Sequence, residues 1–417
     1  MSKALKAKVL GIASAVAIPL AGLGVAQAQS FGGLPTITPQ AQAARERAAA
    51  AAKAQAAVKR ELPGYVVVDK NGVRETRGNH VYTKIQDAVD NVAWGGVVVV
   101  LPGVYEENVT LSRSVSLQGD RGNGQGVVIQ PPRESTEPCL KFEPIQLNDH
   151  ALISNITFAP GNRLQPPQPK KDEDKALAEA TMTEGDYSKY AYGFTNSTDA
   201  AIANASSVTP CIDVKRGVFT MIESVVDGGG MHRGDLIRIS GGTALLEKNK
   251  VTGGRRGIAV DQNHELWHRT MLVDNIISDN LVEGVHLAGV SNVLATGNLI
   301  NANRGRGLVY NGRGAATLVG NKILNNASHG VLLDRDARQV LVRLNQIWAN
   351  KGDGIKVRSS GGLIEDNDID GNEGLEISTI GHLDTIPTII NDVKANEKSP
   401  KRGGWSVGTG WSNDRRR

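Results

Sequence analysis

From about residue 63 onward, apolar and polar residues alternate in short runs, and the runs recur at a near-constant interval. Asparagines stand at 249, 275, 298, 321, 345 and 367, spaced by 26, 23, 23, 24 and 22 residues. From Asn275 on, each opens the pattern N-x-I-x-x-N (NIISDN, NLINAN, NKILNN, NQIWAN, NDIDGN), and Asn249 begins a weaker copy, NKVTGG. Glycines at 257, 284, 307, 330, 354 and 374 mark a second column, each followed by an alternating triplet: GIAV, GVHL, GLVY, GVLL, GIKV, GLEI. Period-two strands inside a period in the low twenties predict one β-solenoid coil per repeat. Coils stacked about 4.8 Å apart superpose equivalent turn residues, so the asparagines are expected to hydrogen-bond along the stack. The glycines are expected to supply turn conformations that other residues resist. In each triplet the first and third residues point inward, while the middle residue and the one after the triplet face out.

The body begins near Pro63. Ile85, Ala88, Val89 and Val92 fall at helical spacing and predict a helix over 84–92, with Thr83 as its cap. The apolar run Val97–Leu101, a Pro102-Gly103 turn and the alternating stretches YEENVTL and SVSLQG follow as strands. A short amphipathic helix ahead of stacked strands reads as a lid over the open end of the solenoid.

The ends have a different character. Lys3, Lys6 and Lys8 precede an apolar run from Val9 to Val25, and Ala26-Gln27-Ala28 offers small residues for a signal peptidase, so residues 1–28 read as a signal peptide. Residues 29–62 are Ala-rich and read as a linker or marginal helix, 63–380 as the solenoid, and 381–417 as a C-terminal tail. No later stretch reaches membrane length, which implies an exported chain, secreted or periplasmic. Cleavage removes three lysines and no acid, lowering the formal net charge from +4 to +1. A near-neutral chain gives no reason to expect nucleic acid as a partner. Cys139 and Cys211 fit no zinc spacing, and in an oxidising compartment they are either one disulfide or two small buried residues.

The stretch HVYTKIQDAVDNVAWGGVVVVLPGVYEENVTL, together with the N-x-I-x-x-N coils, resembles the pectin-lyase-like superfamily over about residues 63–380. The resemblance implies an all-β fold, a right-handed parallel β-helix with an N-terminal capping helix. It does not imply one activity, because that superfamily spans lyases, hydrolases, esterases, epimerases and adhesins. Gly103-Val104-Tyr105-Glu106-Glu107 is similar to the first motif of pectin methylesterases, but their QDT and DFIFG motifs are absent. Polygalacturonase NTD is absent too, Ser328-His329-Gly330 only echoes that family's GHG, and Asp261-Gln262-Asn263-His264 only faintly matches the epimerase Asp-Pro-His. No catalytic residue is carried over from these families.

The repeat itself points to a face. Extending the register back to PCLKFE, PCIDVK and LIRIS gives outward middle residues Lys141, Asp213, Arg238, Ala259, His286, Val309, Leu332, Lys356 and Glu376. The next outward column reads Glu143, Lys215, Ser240, Asp261, Ala288, Asn311, Asp334, Arg358 and Ser378. Charge gathers between Lys141 and His286. A long insert at about 159–209 carries Tyr187, Tyr190, Tyr192 and Phe194, and a lengthened turn, HELWHR, carries His264 and Trp267. Inserts on two sides of one strand face would wall a groove, where function commonly sits.

These residues suggest a polysaccharide cleft. Aromatic faces suit sugar rings, and a cation ladder suits uronate or sulfate groups. Lys141, Lys215, His264, Trp267, Tyr187, Tyr190 and Tyr192 are the expected substrate contacts. Asp213, Arg238, Asp261 and His286 are the candidate catalytic groups of a polysaccharide lyase or glycoside hydrolase. Elimination would use a cationic residue as base, and hydrolysis would pair Asp213 with Asp261, two coils or about 9.6 Å apart. The competing reading is a non-catalytic binding or surface protein. No metal is expected from His232, His264, His268 and His286, which lack HxH or HExxH spacing. Asp366–Gly371 begins like a calcium loop, but Ile377 holds the place of its final Glu, so no cofactor is assigned.

Overall fold

The computed structural model describes residues 62–72, 80–121, 126–160, 208–230, 232–262, 269–290, 292–334, 337–358, 361–379 and 388–390. The signal peptide, nearly all of the Ala-rich segment, most of the long insert, the lengthened turn and almost all of the tail lie outside them. So do Tyr187, Tyr190, Tyr192, His264 and Trp267.

The strands stack in parallel into three sheets, and a typical coil gives one strand to each. Thr243–Glu247 joins the first sheet, Lys250–Thr252 the second and Arg256–Gln262 the third, after which Arg269–Val273 returns to the first. The first sheet has thirteen strands and the others ten each. The triplets pack as their alternation predicts, with Ile258 and Val260, Val285 and Leu287, and Ile355 and Val357 buried in one continuous core. Such side chains each contribute roughly 1.5–3 kcal/mol on burial. Among the described residues no helix is long and apolar enough to cross a membrane.

The asparagines form ladders on both sides of the second sheet. Asn298 Nδ2 donates to Asn321 Oδ1 at 2.9 Å and to the Leu272 carbonyl at 2.7 Å, and the Asn298 backbone N–H donates to that same Oδ1 at 3.1 Å. Asn280, Asn303, Asn326, Asn350 and Asn372 repeat the arrangement at the second corner. Each ladder satisfies turn groups that water cannot reach, which is why these polar residues are buried.

The glycine column has a different cause from the one the sequence suggests. Gly307 has no left-handed φ; it is small because a Cβ there would meet Ile323 Cγ2 at 2.6 Å, the Gly330 carbonyl oxygen at 2.7 Å and Asn326 Nδ2 at 2.8 Å. The constraint is space under the next coil rather than backbone conformation. The left-handed residues stand instead just before the asparagines, at Lys248, Asp274, Leu344 and Asp366, with glycines at 297 and 320.

That distinction explains a shift at the last coil. Ile355 pairs with Ile377 and Lys356 with Ser378, so Glu376, not Gly374, lies in the glycine column. Among the described residues nothing further stacks on this strand in the third sheet, so no neighbour there makes the close approach that demands glycine. Ser378, rather than Glu376, takes the outward middle place, and its Oγ donates to Asp353 Oδ2 at 2.6 Å.

At the other end, one helix spans Ile85–Asn91 and buries Ile85, Ala88 and Val89 against the first strands. Thr83 does not cap it. The N-cap is Lys84, and the Glu107 carboxylate accepts from the Ile85 and Gln86 N–H groups at 2.9 Å each. A carboxylate from the next coil satisfies two otherwise open donors and ties helix to solenoid. Between the second and third coils of the third sheet, Cys139 and Cys211 form a disulfide, with Cα atoms 4.9 Å apart across 72 residues of sequence.

Candidate functional site

The outward face of the third sheet is built by register. Thr110, Lys141, Asp213, Arg238, Ala259, His286, Val309, Leu332, Lys356 and Ser378 align as direct neighbours. Around the disulfide this face sinks into a hollow of about 320 Å³ lined by Glu137, Pro138, Lys141, Val208, Thr209, Pro210, Asp213, Lys215 and Arg238. Four of the expected site residues therefore come together on three adjoining coils.

Each cation in the hollow has an internal partner. Lys141 Nζ lies 2.6 Å from Glu143 Oε2, and Lys215 Nζ lies 3.0 Å from Asp213 Oδ2. Arg238 donates through Nε and a terminal nitrogen to Asp235 Oδ2 at 3.0 and 2.8 Å. The hydrogen bond that Lys141 donates to Glu143 pushes its ammonium upward, so this lysine stays charged. Asp213 is only 6% exposed, and its Oδ1 has no hydrogen-bond partner.

Asp261 and His286 stand apart from the hollow. Ala259 separates His286 from Arg238 in the ladder. Asp261 is two coils from Asp213 and also two residues further along its strand, which puts their Cα atoms about 12 Å apart. The axial spacing of about 9.6 Å neglected the offset along the strand.

A second arrangement went unseen in the sequence. At the entry to the third sheet, Asp235 faces Arg256, which faces Glu283. Glu283 Oε1 in turn accepts from Arg306 at 3.1 Å, and His329 and Asp353 continue the row, with His329 Nδ1 accepting the Asp353 N–H at 2.8 Å. The row alternates in sign over its first four members. Asp235 is fully buried; burial alone would raise its carboxyl, but Arg256, Arg255 and Arg238 hold it far below the usual range. Burial likewise opposes ionisation of Glu283, yet His286, Arg306 and Arg256 bring it down to about 2. His329 is pushed well below the usual imidazole range, by burial first and then by the Lys356 ammonium.

From this row the outward bases are gripped three residues on. Arg238 is held by Asp235, His286 Nδ1 lies 2.6 Å from Glu283 Oε2, and Lys356 Nζ lies 3.7 Å from Asp353 Oδ2. The sequence does carry this signal, as DLIR, EGVH and DGIK: an acid, then a base three positions later. The His286 side chain stays about a fifth exposed. The calcium-like stretch serves the fold instead, since Asn367 Oδ1 accepts from Asn345 and Asp366 pairs with Arg343. No group of three His, Cys, Asp or Glu among the described residues is placed to hold a metal.

The family described as "Right handed beta helix region" matches residues 235–387. No curated protein sequence matches the chain. Among solved structures, XylC in complex with xylose shares 10% identity over 76% of this chain and 69% of its own, with a TM-score of 0.51. The A-module of mannuronan C-5 epimerase AlgE4 from Azotobacter vinelandii shares 14% over 74% of this chain and 90% of its own, with a TM-score of 0.46. PfbA, a surface adhesin of Streptococcus pneumoniae, shares 12% over 77% and 93%, with a TM-score of 0.35. The repeat, the three parallel sheets and the matched region together make the body of this chain a right-handed parallel β-helix.

Proposed function

We propose that this chain is an exported β-helix protein that binds an acidic polysaccharide along the outward face of its third sheet. The observation that carries the reading is the hollow that gathers Lys141, Lys215 and Arg238 on adjoining coils of a rigid scaffold. A polymer lying along the solenoid axis meets a new coil about every 4.8 Å, so spaced anionic groups engage successive cations. XylC, whose fold this chain shares, was solved with xylose, so the fold admits a sugar ligand. The Cys139–Cys211 disulfide supports export, because such bonds persist in oxidising compartments. Binding is favoured over cleavage in the hollow itself, since every cation there is already paired with a carboxylate of its own chain.

A glycan array of polygalacturonate, alginate and sulfated polymers beside neutral xylan and dextran tests this. Acidic polymers should bind, more weakly as salt rises, and Lys141→Gln with Lys215→Gln should weaken them about tenfold or more. Neutral polymers binding as well as acidic ones would sink the reading.

One observation favours a second reading, a polysaccharide-modifying enzyme. Glu283, ionised and buried, holds His286 through Nδ1 on the outward face, the arrangement of a general base held by a carboxylate. New absorbance at 235 nm, or new reducing ends, lost in His286→Ala would establish it. Neither signal from any bound polymer would leave binding alone.

A further inference from the structure

We propose that Asp213 makes the hollow selective for uronic-acid residues whose hydroxyl groups are free rather than acetylated; the inference rests on the acidic-polysaccharide reading above. Asp213 is more than nine-tenths buried, on a strand between Lys141 and Arg238. Its Oδ2 is held by Lys215 at 3.0 Å, while Oδ1 is buried without any hydrogen-bond partner. Folded proteins rarely leave a carboxylate oxygen in that condition, because an unsatisfied buried acceptor is costly. The residue lines the hollow, so a ligand that enters it can supply the missing donor.

The surroundings restrict what that donor is. Lys215 Nζ, already held by Asp213, repels a second ammonium beside that carboxylate. Lys141 and Arg238 on the flanking coils can pair with a carboxylate, although Glu137 also lines the hollow. The fitting ligand therefore carries an anionic group beside a neutral donor. A uronic-acid ring offers both, a carboxylate for Lys141 or Arg238 and a ring hydroxyl for Asp213 Oδ1. Acetylation replaces that O–H with an ester, which only accepts hydrogen bonds and meets the Asp213 oxygen lone pair to lone pair. A site built around a hydroxyl rejects the analogue lacking it, because its own polar group is left unpaired.

The experiment is titration calorimetry of the wild-type chain with polygalacturonate and alginate, each fully de-O-acetylated and O-acetylated. The preferred de-O-acetylated polymer should bind about 10–100-fold more tightly than its acetylated form, the range for a hydrogen bond to a charged group. Asp213→Asn can turn its amide N–H2 toward the ester carbonyl, and should reduce the preference to less than about threefold. Wild-type protein that binds both forms equally overturns the selectivity while leaving the acidic-polymer reading intact. Failure to bind any polyuronate removes that reading, and this inference with it. Chitosan binding more tightly than polyuronates would show that the unpartnered oxygen serves a cation. The wild-type comparison needs no variant to fold, and an Asp213→Asn protein that folds and keeps the full preference overturns the assignment to this residue.

Discussion

Asn321→Ala removes one rung of the first asparagine ladder and so tests what the ladder contributes. The side chain is fully buried; its Nδ2 donates to the Ala295 carbonyl at 2.8 Å and to Asn345 Oδ1 at 2.9 Å. Its Oδ1 accepts the Asn298 N–H at 3.1 Å and Asn298 Nδ2 at 2.9 Å. With alanine, Asn345 Oδ1 keeps the Asn321 N–H and Asn298 Nδ2 keeps Leu272 O, so those groups retain partners. One backbone group does not, the Asn298 N–H; the Ala295 carbonyl lies on a strand paired on both sides and keeps its place in the sheet ladder. At about 1–3 kcal/mol for a buried group left unsatisfied, the variant should lose about 2 kcal/mol. For a solenoid of roughly 300 residues, with about 2.1 cal/mol/K of unfolding entropy per residue, that lowers Tm by about 3 °C. Calorimetry of wild type and variant measures it, with polyuronate affinity determined in parallel. A loss below about 1 kcal/mol, the size of an ordinary exposed contact, would refute the accounting. An unchanged melt combined with lost binding would show that the column belongs to a site rather than to the fold.

Gly307→Ala should destabilise by about 1–3 kcal/mol although its backbone suits alanine, because the new methyl meets a backbone oxygen and a buried isoleucine; a neutral result in denaturant unfolding would count against the packing explanation. Replacing Cys139 and Cys211 together with serine opens a loop of 72 residues and should cost about 4.4 kcal/mol of chain entropy, read as a lowered unfolding midpoint. Stability should also fall with acid in two stages. His329 is neutral when folded, so its contribution is complete above about pH 6.5 and declines as the unfolded imidazole gains a proton below that. Glu283, held near 2, contributes fully above about pH 4.5 and is lost as pH falls toward 2. A Tm that stayed flat from pH 7 to 4 would contradict the first stage, and His329→Gln should remove it.

The columns that repeat identically were readable in the chain, because a parallel stack forces the same residue to solve the same problem at every coil. Asn275, Asn298 and Asn321 announce themselves this way, and so do the triplet positions that fill the core. What repeats with variation was harder to read. Asp235, Arg256, Glu283 and Arg306 share one column but differ in sign, so no single residue type marks it, although DLIR, EGVH and DGIK hold the trace. The reason for the glycines was hidden because sequence shows a missing side chain without showing the neighbour that excludes it. The shift at Glu376 goes with its place on the last described strand of the third sheet, a fact about position in the stack. Lys141, Asp213, Lys215 and Arg238 were recognisable as one face by period two, whereas their pairing with carboxylates was not. Asp261 lies further from Asp213 than coil counting gives, because the offset along the strand adds to the distance.

The alternating row from Asp235 to Arg306 also constrains how such a chain can lengthen or shorten. Identical asparagine and glycine columns make the coils look interchangeable, as though one could be duplicated or deleted at will. The charges forbid it. Excising the coil that carries Arg256 would set Asp235 directly under Glu283, two buried carboxylates with a guanidinium lost between them. Excising that coil together with the next returns Asp235 to a guanidinium, now that of Arg306, and the row closes again. In this part of the solenoid the unit of gain or loss is therefore a pair of coils, a parity rule written in charge on a scaffold whose hydrophobic stacking has none.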